Sequence, residues 1–108
     1  MNDRYIAIWE FEIDANARTQ FEQIYGPHGG WAQLFRRSSE YLGTRLMRSL
    51  DHPERYLTLD LWTSRSALET FKQEYAAEYA RLDKECERLT RRETRIGEFM
   101  EEIGIAGP

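Results

Sequence analysis

Residues 4–13 alternate strictly: Tyr5, Ala7, Trp9, Phe11 and Ile13 point one way, Ile6, Ile8, Glu10 and Glu12 the other. Period two with aromatic and β-branched residues predicts a strand, and apolar residues on both faces at its start predict that both are covered there. Asp14 suits a helix N-cap, and Ala17, Phe21, Ile24 and Tyr25 follow at helical spacing, which predicts a short helix over 15–25. Gly26-Pro27 stops it, and Gly29-Gly30 adds a second joint. Trp31, Leu34 and Phe35 line another short helix ending near Ser39. Strands are predicted over 42–50 and 55–62, joined by the turn Asp51-His52-Pro53-Glu54. In the second of these, Leu57, Leu59 and Leu61 oppose Tyr56, Thr58, Asp60 and Trp62.

A long helix follows. Ser66 with Glu69 forms a capping box, with Ser64 an equally good cap. Leu68, Phe71, Tyr75, Tyr79, Leu82, Cys86 and Leu89 make one continuous apolar stripe, opposite Lys72, Glu74, Glu78, Arg81, Lys84 and Glu85. Alternation returns in a fourth strand over 94–103, with Ile96, Glu98 and Met100 set against Arg95, Gly97 and Phe99; residues 104–108 are a tail. The order β-α-β-β-α-β predicts an α+β, ferredoxin-like domain. Its right-handed crossovers build one antiparallel four-stranded sheet with the helices on one face. Large apolar groups on both faces then leave one face uncovered, which predicts a homodimer paired through its sheet faces.

The chain has 108 residues, which fits a single domain over 1–108 with an ordered core of about 4–103. It is 41% hydrophobic and 31% charged with mixed signs, so a folded core is expected. A net charge of -4 without a basic stripe argues against nucleic acid as the partner. The single cysteine, Cys86, allows no internal disulfide and no cysteine-histidine zinc site; it reads as a small buried hydrophobe. No apolar run approaches the roughly 20 residues that span a bilayer, and the first residues lead straight into a strand without a signal pattern. The expectation is a cytoplasmic protein with no membrane partner.

Three segments carry a family likeness: Tyr25-Gly26-Pro27-His28-Gly29-Gly30-Trp31-Ala32-Gln33-Leu34-Phe35-Arg36-Arg37, then Tyr41-Leu42-Gly43-Thr44, then 56–64 with Trp62 before the serine-capped helix. Together they resemble the antibiotic biosynthesis monooxygenase-like family of dimeric α+β barrels. The resemblance implies a pocket between sheet and helices, where family oxygenases act on quinols, polycyclic aromatics or haem, often without metal or flavin. Trp62 matches that family's pocket tryptophan. Haem-degrading members carry an asparagine where this chain has Trp9, and a histidine on the long helix where it has Phe71-Lys72-Gln73-Glu74. Some aromatic oxygenases have an asparagine just before the tryptophan, where Thr58 or Asp60 stands.

The candidate site residues follow from this. His28, in the helix break, is the candidate base, since imidazole exchanges protons near neutral pH; a solvated loop histidine is the plainer reading. Trp62 either stacks an aromatic ligand or plugs the core. Tyr25, Trp31, Trp9, Phe35 and Tyr56 either wall an apolar pocket or pack the helices on the sheet. Arg45 and Arg48 point to opposite faces and cannot clamp one anion, but Arg45 alone can meet a phenolate. Glu10 and Glu12 share a face and read as solvated strand ends or salt links rather than a cation site; His52 reads as surface. The expected function is a cofactor-independent monooxygenase acting on a small aromatic or quinol-type substrate, with neither cofactor nor metal. The alternative is a non-catalytic, small-ligand-binding or structural homodimer.

Overall fold

The computed structural model describes residues 4–105 and 107. Its elements run β1 (Tyr5–Glu12), a 3-10 turn (Ala15–Ala17), α1 (Arg18–Tyr25), α2 (Gly30–Phe35), β2 (Tyr41–Arg48), β3 (Arg55–Trp62), α3 (Arg65–Glu74), α4 (Ala76–Cys86), a second 3-10 turn (Glu87–Leu89) and β4 (Arg92–Met100). All strand pairs are antiparallel in the order β2-β3-β1-β4, so the two strands that end the crossovers flank the central pair. This is the expected ferredoxin-like α+β domain. Among the described residues, no helix is long and apolar enough to cross a membrane.

The alternation of β1 and β3 holds residue by residue. Tyr5, Phe11, Ile13, Tyr56, Thr58 and Trp62 are buried on the side the helices cover. Their rings meet those of the helices: Phe21 stacks on Tyr25 at 4.3 Å, and Trp62 lies 5.5 Å from Phe35 and 5.3 Å from Phe71. Trp31 joins the two ends of this core, 6.3 Å from Tyr25 and 5.8 Å from Phe35. Tilted and edge-on pairs at such spacings add to the burial of the rings themselves.

Four expectations are corrected. The alternation of β4 breaks at a bulge: Gly97 pairs with Ile8 but Arg95 with Trp9, so Ile96 is the extra residue and Arg95 and Glu98 share the helix side. Gly97 sits at a φ of +151°, which a side chain rarely adopts, and the edge strand β2 has a matching shift at Gly43. Asp14 makes no cap hydrogen bond; its carboxylate lies 3.4 Å from Arg91 instead. The cap of α3 is Ser64, whose hydroxyl accepts from the Ala67 amide at 3.1 Å, so Ser66 and Glu69 form no capping box. Finally, the long helix is two helices that meet at Tyr75, where the backbone leaves the helical region (φ −114°, ψ 32°).

The other sheet face carries Ile6, Ile8, Leu57 and Leu59, with Met47 and Phe99 nearly half exposed. No helix of the described chain lies over it.

Candidate functional site

Between the sheet and the helices lies a half-open hollow of about 180 Å³. That is comparable to cavities of ~150 Å³ that take up a benzene-sized molecule. Strand side chains Trp9, Phe11, Thr58 and Asp60 form its floor, with the exposed Glu93 at its edge; Tyr25, Trp31, Phe35, Tyr79 and Asp83 reach it from the helices. The break at Tyr75 restarts the helix as α4, which brings Tyr79 and Asp83, one turn apart, to the same rim. Tyr79 meets Trp31 edge-on at 4.9 Å.

Asp60, noted from sequence only as standing near where some aromatic oxygenases have an asparagine, lines this hollow. It is an acid on the inward row of β3, between Thr58 and Trp62, where apolar packing would be expected. The Thr44 hydroxyl donates to its Oδ1 at 2.7 Å, and Tyr41 in turn hydrogen-bonds Thr44 at 2.5 Å. Thr44 has one proton and gives it to Asp60, so Tyr41 is the donor to Thr44. Burial pushes the Asp60 carboxyl up to about 6, against the opposing pull of Thr44 and the Lys72 ammonium. Burial likewise raises the Tyr79 phenol to about 12 and moves Tyr25 upward, so both hydroxyls stay protonated at neutral pH. Glu93 is raised by burial and then by Asp83 nearby. Trp31 carries a buried indole N–H with no hydrogen-bond partner. A smaller hollow of about 70 Å³ adjoins the first at Trp9 and Asp60, and Trp62, Lys72 and Arg95 line it.

Of the residues singled out from sequence, the fold brings Trp9, Tyr25, Trp31 and Phe35 together in the main hollow. It does not bring the others. His28 is exposed in the loop before α2, its carbonyl capped by Gln33 at 2.9 Å, and it is not among the lining residues. Trp62 is fully buried and borders only the smaller hollow. Tyr56 is buried but spends its hydroxyl on Arg18 and Glu22. Arg45 pairs with Leu59 across the strands and so faces the opposite side of the sheet. Glu10 lies 3.8 Å from Arg55 and Glu12 3.8 Å from Arg92, as salt links. No three histidine, cysteine, aspartate or glutamate side chains among the described residues converge to hold a metal ion. An inward acid on a strand was the available signal for Asp60. Asp83 and Glu93 were not singled out: Asp83 lies one turn after Tyr79 in α4, and Glu93 pairs opposite the inward Phe11.

No family model and no curated protein matches the sequence. Solved structures do match. SnoaB, a cofactor-independent oxygenase from Streptomyces nogalater, superposes in a single-residue variant with a TM-score of 0.78 at 16% identity, over 97% of this chain and 99% of that one. MhuD, in a variant holding two manganese protoporphyrin IX molecules per active site, matches at a TM-score of 0.72 and 21% identity, over 95% and 99%. A Bordetella bronchiseptica protein provisionally named an antibiotic biosynthesis monooxygenase gives 0.67 and 20%, over 95% and 99%. At these identities the likeness establishes a shared fold across nearly the whole of each chain.

Proposed function

We propose that this protein is a cofactor-independent monooxygenase of the antibiotic biosynthesis monooxygenase type, acting on a small phenol or quinol in the hollow between sheet and helices. One observation carries the reading: an inward carboxylate, Asp60, with its pKa raised to about 6, sits on the floor of an aromatic-walled hollow the size of a single ring. The base assigned to His28 from sequence moves to Asp60, since His28 does not line the hollow.

A phenol bound between Trp9 and Trp31 gives its hydroxyl proton to Asp60, whose pKa lies close enough to neutrality for both proton capture and release. The phenolate ring is electron-rich and passes an electron to dioxygen. Recombination at a ring carbon ortho or para to the oxygen that still bears hydrogen forms a C–O bond. Loss of the hydrogen on that carbon then breaks the O–O bond: one oxygen remains as a second carbonyl, the other leaves as water, and the product is a quinone. The substrate supplies every electron. Apolar walls keep water from the anion. The Tyr41–Thr44 chain steadies the ionised Asp60 through hydrogen bonds donated along it.

The uncovered sheet face supports a second part of the reading, a homodimer in which a copy of this chain covers Ile6, Ile8, Leu57, Leu59, Met47 and Phe99. The alternative function is ligand binding without turnover in the same hollow. It is favoured by one observation: no lysine, arginine or histidine lines the hollow to hold a developing oxyanion.

The test is oxygen uptake with a panel of phenols and hydroquinones, corrected for autoxidation, comparing wild type with Asp60→Asn and Trp9→Ala. Turnover in the wild type that both variants lose supports the oxygenase. Saturable binding with no oxygen consumed supports the alternative, and equal turnover in Asp60→Asn removes that residue as the base.

A further inference from the structure

The main hollow has a one-sided charge. Three of its lining residues are carboxylic acids, Asp60, Asp83 and Glu93, and none is a cation. Among the described residues, none of the three is in an ion pair, whereas the strand acids Glu10, Glu12 and Glu98 each have an arginine within 4 Å. Glu93 has only the Thr90 hydroxyl, at 3.4 Å. The ammonium of Lys72 belongs to the smaller hollow and lies 5.5 Å from the centroid of the Tyr79 ring. The acids do not converge closely enough with any third ligand to hold a metal ion. Much of the remaining wall is aromatic, and the faces of rings such as Trp9, Trp31 and Tyr79 attract an organic cation. Aromatic walls with acids at the rim suit an alkylammonium, and they repel a carboxylate or phosphate.

From this arrangement we infer that the ligand is an aromatic amine: a single ring seated against Trp9 and Trp31, with an alkylammonium arm between Asp83 and Glu93 at the rim. The inference rests on the reading of this hollow as the substrate site and names the substrate class. It also answers a difficulty in that reading. Making a phenolate beside three acids is unfavourable, and with no protein cation in the hollow the substrate's own ammonium supplies the compensating charge. Acids at the rim further raise the local concentration of cationic substrates over anionic ones.

The test is calorimetric titration of the wild-type protein with three matched probes that share a phenol ring: tyramine, neutral 4-ethylphenol and anionic 3-(4-hydroxyphenyl)propionate. Tyramine is expected to bind about tenfold tighter than 4-ethylphenol, and the propionate more weakly than either. Raising the salt concentration should narrow the gap between tyramine and 4-ethylphenol. The Asp83→Asn/Glu93→Gln double variant, altered only at exposed rim positions, should abolish the gap. Equal affinity for tyramine and 4-ethylphenol, tightest binding of the propionate, or a gap that survives the double variant overturns the inference and leaves the site reading intact. If none of the three probes binds, the site reading fails and the inference falls with it.

Discussion

On the proposed reading, Asp60 is where the chemistry concentrates. Its ionised form is disfavoured by burial, so the folded state holds a proton that the unfolded chain has already released above pH 3.8. Stability from this group is therefore fully present below pH 3.8 and falls as pH rises to about 6, beyond which the loss is complete. At about 1.4 kcal/mol per pH unit, the rise from 3.8 to about 6 bounds the loss at neutral pH at about 3 kcal/mol. Asp60→Asn should accordingly be more stable than wild type at pH 7.5 and no more stable at pH 4, as measured by urea denaturation at both values. On the proposed reading the same ionisation governs turnover: kcat/KM for phenol oxidation should rise through about pH 6 and then level off, since only the carboxylate accepts a proton. The pH profile of oxygen uptake checks this, and a limb near a different pH, or one retained in Asp60→Asn, would point to another base. Sequence reasoning reached the aromatic walls because large rings on an inward strand row and on helix faces are rarely anywhere but the interior. It looked for a base at His28 rather than at the lining acid Asp60 because a histidine draws attention by its pKa alone, and whether a loop folds over a pocket is not written in its residues.

At the scale of elements, periodicity carried most of the fold. Strict alternation in β1 and β3 gave the correct faces because the β1–β3 ladder runs from Tyr5↔Trp62 to Glu12↔Arg55 without a register shift. It failed in β4, where one bulge reverses the alternation, and the only local trace of that is Gly97. The apolar stripe of the long helix is real, since Leu68, Phe71, Cys86 and Leu89 are all buried, yet the helix breaks within it at Tyr75. A stripe records which side faces the core; it does not record a local change in backbone angle. Between two serines of equal propensity, geometry chose Ser64. Ser64→Ala should lower stability by about 1 kcal/mol through loss of the hydroxyl that caps the Ala67 amide, while Ser66→Ala should be close to neutral. Thermal unfolding of the two variants separates them.

For the whole molecule, the decisive asymmetry is between the two sheet faces. One is roofed by four helices and holds the hollow; the other offers Ile6, Ile8, Leu57, Leu59, Met47 and Phe99 with no helix of the described residues over it. Sedimentation velocity at micromolar concentration should find a dimer, and Leu59→Glu, which places a charge at the centre of that face, should shift it to a single chain without unfolding it. A wild-type protein that sediments as a single chain would leave that face unexplained. The account as a whole turns on the roofed side being where a ligand goes. The most direct measurement is an NMR titration with 4-ethylphenol, following the tryptophan indole N–H signals, the His28 imidazole and the methyl and ring signals of Met47 and Phe99. The account predicts saturable shifts at Trp9 and Trp31 with His28, Met47 and Phe99 unmoved. Shifts at Met47 and Phe99 while Trp9 and Trp31 stay fixed would contradict it.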